Sequence, residues 1–253
     1  MNKILFDNIL ALAKPFYPDS DPAHDWGHIC RVFAYAHKIW LGEGGDLDII
    51  TAGVFFHDCV NLPKNHPNSS DSATMSAERA VKILSGLNDF PQHKLPAVAA
   101  GITEHSFSKG LKPSSLESKI IQDADRLEST GIIAIMRVLT VCGQLGRPIF
   151  NWQDPFCEDR EPEMKYGLDL VYSRILKVSS MMNTETARGI AVESDERTRQ
   201  FIALLKSEAA LFPTEEDHWD DKLEVSSKLV TPMLPPSGFD KTGDDRRFSR
   251  STL

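Results

Sequence analysis

The sequence predicts an all-α protein, and three observations lead to that fold class. Apolar residues recur three and four positions apart through most of the first 212 residues, which is the spacing of a helix with one buried face. Proline, glycine and Asp or Ser residues stand between these stretches, where helices end and begin. The alternation of apolar and polar residues that is typical of strands is almost absent.

Three helices are predicted within the first 60 residues. Residues 4–12 place their apolar side chains on one helical face, and Pro15 ends that helix. Asp25 or Trp26 begins a second helix, which stops at the glycine-rich segment GEGG. Asp46 caps a third helix, LDIITAGVFFHDCV, and its nearly continuous apolar character predicts a central position in the fold.

Further helices are predicted beyond a polar loop at residues 61–70, and a second long loop at 148–162 interrupts the series. Asp71 or Ser72 caps the first of these helices. The predicted helices are SATMSAERAVKILSGL, HKLPAVAAGITEHS, SSLESKIIQDADRLEST, GIIAIMRVLTVCGQLG and the stretches 163–182 and 184–212.

The character of the chain changes at about residue 212. Residues 213–253 begin with a strongly acidic segment and continue with Pro, Gly and mixed charge without helical periodicity. Such a composition cannot bury enough apolar surface to offset the entropy of ordering. We therefore expect one helical domain at residues 1–212, followed by a flexible tail at 213–253.

Composition and charge exclude several classes of function. The 28 basic and 36 acidic residues give a net charge of -8, which argues against extended nucleic-acid binding but permits a small anionic ligand. The longest strongly apolar stretch, residues 131–142, is too short for a membrane span and contains Arg137. The four cysteines form no CxxC pair, and the N-terminus lacks a cleavage site, so we expect a cytoplasmic protein with reduced thiols.

Histidine and aspartate recur at the ends of predicted helices, and these side chains bind divalent cations without thiolate help. His28 lies near the start of the second helix, and His57 and Asp58 lie at the end of the third. Because neighbouring antiparallel helices bring a start beside an end, these residues could meet. Asp125 follows apolar residues on a later helix that faces inward. Taken alone, each residue could equally be a cap or a surface group.

Two histidines and two carboxylates would leave coordination positions open for water, which is typical of a catalytic metal site. Four segments that contain these residues resemble the HD-domain superfamily of metal-dependent phosphohydrolases, and in particular its small bacterial-type single-HD subgroup, some members of which are nucleotide pyrophosphohydrolases. The segments are HDWGHICRV, AGVFFHDCVNLPKN, ITEHSFSKG and IIQDADRLESTG. The resemblance implies a helical bundle and one Mn, Mg, Co or Ni ion bound by His28, His57, Asp58 and Asp125.

One position departs from related groups. Some HD hydrolases carry a glutamate four residues after the histidine of the doublet, as a general acid or base, whereas this chain has Asn61 there. Asp25, Glu104 and Asp123 are the candidates for that acid or base role, and Asp58 is a further candidate catalytic residue.

Cations near the motifs are predicted to contact phosphate, because phosphoryl transfer needs positive charge against the developing oxyanions. The predicted substrate-binding residues are Arg31, Lys64, His105 and Lys109. Arg31 lies three residues after His28 and therefore on the same helix face. His24 and Asp123 are predicted to hydrogen-bond the ligands from outside the ion's own coordination sphere.

The sequence therefore predicts a metal-dependent phosphohydrolase that cleaves a phosphoester or phosphoanhydride bond of a nucleotide. A di-iron oxygenase that recruits His93 and His105 is one alternative, although twelve residues between them make shared ligation awkward. A non-catalytic module that senses a nucleotide is the other.

Overall fold

The computed structural model describes residues 1–18, 25–62, 69–106 and 110–209. Within these ranges the secondary structure is helical and no strand is present, so the predicted all-α fold class is confirmed. The tail predicted at residues 213–253 lies outside the described residues. The α-helices are α1 (Lys3–Ala13), α2 (Trp26–Glu43), α3 (Leu47–Phe56), α4 (Ser72–Ser85), α5 (Leu95–Glu104), α6 (Leu116–Glu128), α7 (Gly131–Gln144), α8 (Leu176–Val178) and α9 (Glu185–Ala209).

Polar caps set the starts of the helices that frame the centre of the domain. The carboxylate of Asp25 accepts a hydrogen bond from the backbone N–H of His28 at 2.7 Å, and Asp46 caps α3 in the same way. Ser115 caps α6 by accepting from the N–H of Ser118. Each cap satisfies an amide that has no partner inside its helix. The predicted starts of α2 and α3 are thus confirmed.

The predicted helix at residues 163–182 is only partly correct. Residues 164–168 form turns, and the helical segment consists of a π-helical turn (Val171–Ile175), α8 and a 3-10 turn (Ser179–Met181). The amides of Gly167 and Leu168 donate to the carbonyls of Pro148 and Ile149 in the preceding loop. Those amides are therefore unavailable for helical hydrogen bonds, which is why the helix starts late.

Helix α3 is central, as its apolar composition predicts, because every residue from Ile49 to Phe56 is buried. One of its sides contributes Phe55 and Phe56 to a core shared with α1, α4 and α5. The other contributes Ile50 and Val54 to a core shared with α2, α6 and α9. The fold therefore places the C-terminal end of α3 between two packed layers of helices.

Close approach of three helices depends on two glycines. Gly53 of α3 and Gly101 of α5 both face the side chain of Ile121 on α6, and a Cβ atom at either position would overlap it. Small residues here bring the ends of α3 and α5 near to α6. Among the described residues, no helix combines the length and the apolar character required to cross a membrane.

Candidate metal centre

Four helices bring histidine and carboxylate side chains to one region of the domain. His28 lies in the first turn of α2, and the His57–Asp58 doublet follows the last residue of α3. His105 follows α5, and Asp125 lies in the last turn of α6. All three imidazoles are buried, whereas the side chains of Asp58 and Asp125 are 22% and 26% exposed. The cluster is therefore closed on its histidine side and open to solvent at its carboxylates.

The distances between donor atoms suit a common cation. Asp125 Oδ1 lies 3.7 Å from His28 Nε2 and 3.8 Å from His57 Nε2. Asp58 Oδ2 lies 3.5 Å from His57 Nε2. Ligand atoms that each lie about 2.1 Å from one ion are about 3–4 Å apart, so the observed spacing matches that of a coordination sphere. His28, His57 and Asp125 are thus brought together, and Asp58 joins them through its contact with His57.

The end of α3 holds the doublet in place through its last carbonyl groups. The Nδ1–H of His57 donates to the carbonyl of Val54 at 2.7 Å, and the hydroxyl of Tyr17 donates to that of Phe55 at 2.8 Å. With its hydrogen on Nδ1, His57 presents the Nε2 lone pair toward the cluster. Within the described part of the chain this buried Nε2 has no hydrogen-bond partner, which is expected of an atom that binds a cation.

Electrostatic effects on the two neighbouring imidazoles are opposite. Burial lowers the pKa of His57, and the charge of Asp58 offsets this only in part, so His57 is held in the neutral form that binds metals. Burial also acts to lower the pKa of His105, but the hydrogen bond and charge of Asp58 outweigh it and raise that pKa. The centre therefore contains one imidazole that resists protonation and one that favours it.

His105, which is predicted to bind substrate, lies beside the proposed metal ligand Asp58. Its Nε2 is 3.6 Å from Asp58 Oδ1, and its Nδ1 donates to the carbonyl of Ile102 at 2.5 Å. His57, Asp58 and His105 form a second group with donor atoms close enough for a cation, and this group shares His57 with the first. The structure thus adds His105 to the predicted ligand cluster.

Glu128 is a member of the centre that the sequence analysis did not single out. It is buried at the end of α6, where its Oε1 lies 3.4 Å from His28 Nδ1 and 2.6 Å from Arg31 Nε. It follows Asp125 by three residues and so occupies the same helix face, which is the signal that could have identified it. Arg126, two residues before Glu128, donates to the carbonyl of Met181.

The structure corrects the prediction that Asp123 supports the metal ligands. Its carboxylate accepts hydrogen bonds from the backbone amides of Asn183 and Thr184 and from both of their side chains. Two positions along a helix turn a side chain by about 200°, so Asp123 faces away from Asp125. Asp123 therefore anchors the start of α9.

Of the other predicted catalytic and substrate-binding residues, some contact the centre and others are directed elsewhere or lie outside the described residues. Asp25 caps α2 and fixes the position of His28, and Arg31 reaches Glu128. The carboxylate of Glu104 accepts from the backbone and hydroxyl of Ser114, at 2.8 and 3.1 Å, and so is directed toward the segment before α6. The remaining predicted residues lie outside the described residues: His24, Lys64 and Lys109.

Comparison with known proteins identifies the fold. The family model of the HD domain matches residues 25–130, the part of the chain that carries the whole cluster. The uncharacterized protein YpgQ of Bacillus subtilis is 27% identical over 208 residues, which are 80% of this chain and 92% of YpgQ. The crystal structure of YpgQ in complex with ADP has a TM-score of 0.61 at 25% identity and covers 81% of this chain and 94% of that chain.

A second solved structure is that of an HD-superfamily hydrolase from Bacillus thuringiensis. It has a TM-score of 0.63 at 25% identity and covers 81% of this chain and 97% of its own. The matched region coincides with the helices that carry the histidines and carboxylates described above. Residues 25–130 therefore match the HD-domain family, and the chain shares the fold of this HD-superfamily hydrolase.

Proposed function

We propose that this protein is a metal-dependent phosphohydrolase that cleaves a phosphoester or phosphoanhydride bond of a nucleotide. The observation that carries the proposal is the convergence of His28 and His57 on Asp125, at 3.7 and 3.8 Å, with Asp58 lying 3.5 Å from His57. Imidazole and carboxylate donors suit Mn, Mg, Co or Ni. A bound divalent cation would activate a water for attack and offset the charge that develops on the phosphoryl oxygens.

The side chains around the ligands supply orientation and positive charge. Arg31 is 37% exposed and is fixed at its Nε by Glu128, so the rest of its guanidinium is free to lie toward a phosphate. We assign phosphate contacts to Arg31, and also to Lys64 and Lys109, which lie outside the described residues. Since the guanidinium is anchored to a buried group, it can hold a phosphate at a defined distance from the cation.

For the acid or base role, Asp58 is the best placed of the candidate carboxylates. It contacts both His57 and His105 and remains partly exposed to solvent. Asp25 and Glu104 are each engaged by backbone amides, of His28 and Ser114 respectively. We therefore assign proton transfer to the region around Asp58 and assign Asp25 to holding the start of α2.

A nucleotide is favoured as the substrate because the related YpgQ has been crystallised with ADP. A chain with a net charge of -8 needs localised positive charge to bind a polyphosphate, and a cation beside Arg31 would provide it. One bound cation and a few nearby basic side chains would thus support binding of an anionic, phosphorylated substrate.

The test is to incubate the purified chain with Mn²⁺ and a panel of nucleoside mono-, di- and triphosphates, and to identify whether phosphate or pyrophosphate is released. We expect turnover with Mn²⁺, and none with EDTA or in the His57→Ala variant. His37→Ala removes an exposed histidine from α2 and is the matched control. Nucleotide binding without turnover across the panel would instead favour a sensing module.

The arrangement of His105 favours one further candidate, a di-iron oxygenase, because His57, Asp58 and His105 could hold a second ion. His93, the other histidine needed, is exposed in the turn before α5, and His105 follows the opposite end of that ten-residue helix. The spacing therefore weighs against this candidate. Two irons per chain by metal analysis, together with oxygen consumption, would establish it in place of the hydrolase.

A further inference from the structure

The buried carboxylate of Glu128 has few compensating contacts. Its side chain is fully buried, and one oxygen, Oε1, faces both Arg31 Nε at 2.6 Å and His28 Nδ1 at 3.4 Å. Within the described residues, its second oxygen, Oε2, has no hydrogen-bond partner. Burying a carboxylate with incomplete hydrogen bonding is unfavourable, because the charge loses its hydration without full compensation. A residue retained at such a cost calls for a role other than packing.

The contacts of the three imidazoles indicate that Glu128 has a role in orienting His28. His57 and His105 are oriented by backbone carbonyls, those of Val54 and Ile102, at the ends of their own helices. His28 lies at the start of α2, where a helix offers amides rather than free carbonyls, and so a carboxylate from another helix faces its Nδ1. An acceptor at Nδ1 keeps the hydrogen on that atom and directs the Nε2 lone pair toward Asp125.

The same oxygen fixes the side chain proposed to contact phosphate. Arg31 lies one helical turn beyond His28, and its Nε is the closest donor to Glu128. The buried carboxylate of Glu128 therefore connects His28, a proposed metal ligand, with the guanidinium of Arg31. Without it the longer side chain, that of Arg31, would not keep this position, because it has rotation about several bonds.

We infer that Glu128 is a positioning residue, which aims His28 Nε2 at the divalent cation and holds Arg31 beside it. The inference depends on the proposed metal site. It is separate from the proposed reaction, because metal binding can be measured without substrate.

The first experiment measures Mn²⁺ affinity by calorimetry and the visible absorption of bound Co²⁺ in wild type and Glu128→Gln. Loss of the charge should weaken Mn²⁺ binding by about 10–100-fold, the usual effect of removing a group that orients a ligand. The Co²⁺ bands should also change, since His28 loses its fixed orientation. Glu117→Gln, the same substitution in the first turn of α6, is the control and should leave both unchanged, because Glu117 contacts the amide of Asp46 at the other end of the helix.

Glu128→Asp keeps the charge beside Arg31 but withdraws it by one methylene, and so provides a second variant if Glu128→Gln is poorly folded. A simple counter-charge would tolerate this change, whereas a positioning residue would not. Wild-type affinity and Co²⁺ spectrum in Glu128→Asp would overturn the inference while leaving the metal site intact. Absence of Mn²⁺ and Co²⁺ binding in the wild type would overturn the proposed function as well, and the two failures are thereby distinguished.

Discussion

Asp123 and Asp125 are two residues apart on α6, yet their surroundings differ in kind. Asp123 is fully buried, and hydrogen bonds from Asn183 and Thr184 saturate its carboxylate. Asp125 is partly exposed and faces the Nε2 atoms of His28 and His57 at 3.7 and 3.8 Å, which is too far for hydrogen bonds. A carboxylate whose hydrogen-bonding capacity is fully used, as in Asp123, has a structural role. Ligand atoms that lie close together without hydrogen bonds between them, as around Asp125, are typical of a cation-binding site.

The largest expected effect is the loss of turnover when Asp125 is replaced. Asp125→Asn removes an anionic ligand, and the loss of cation-dependent charge stabilisation, several kcal/mol, corresponds to a fall in turnover of about a thousandfold. The unfolding temperature without metal should change little, because the side chain is partly solvated. Steady-state hydrolysis and metal-free thermal denaturation measure the two quantities. Full turnover in the variant would remove Asp125 from the metal site.

The second prediction concerns Asp123 and has the opposite pattern. Asp123→Ala leaves the donors of Asn183 and Thr184 without their acceptor, so we expect a loss of about 3 kcal/mol in the free energy of unfolding. Mn²⁺ affinity of the folded variant should stay within about twofold of wild type, since Asp123 faces α9. Urea denaturation and calorimetry provide the measurements. A large loss of Mn²⁺ affinity without loss of stability would restore Asp123 to the support of the ligands.

The smallest effect is the pH dependence that His105 confers on the metal-free protein. The pKa of His105 is raised in the folded state, so the unfolded chain binds fewer protons at this site. Its stabilising contribution is therefore complete below the unfolded value of about 6.5 and is lost as the pH rises through the folded pKa. In EDTA, the stability difference between wild type and His105→Gln should shrink from pH 5.5 to pH 8.5. A difference that grows with pH would show that burial, rather than Asp58, dominates this imidazole.

Local features of the fold were predictable from the sequence. The caps Asp25 and Asp46 and the apolar run of α3 gave the correct starts and the correct central helix. These depend on interactions within a turn or two of the chain, where residue type and spacing carry the information. The stretch at 163–182 failed for the converse reason, because its first amides bond to carbonyls of a loop some twenty residues earlier.

Within the candidate site, the four proposed ligands were named from the sequence because the four segments that contain them resemble the HD-domain superfamily in the same order. Glu128 was not, because its partners His28 and Arg31 lie 100 and 97 positions away in the chain. Asp123 was predicted to contact the metal ligands, whereas it contacts the residues before α9. Helix geometry gives the direction of its side chain but not which element packs against that side of α6.

The sequence by itself therefore determined the helical class, the central helix and the set of side chains that could bind a cation. Only the tertiary structure decided that Glu128 meets His28 and that Asp123 anchors the start of α9. The physical reason is range: helix spacing acts over a few residues, whereas the contacts that separate these roles join Asp123 to a residue 60 positions away and His28 to one 100 positions away.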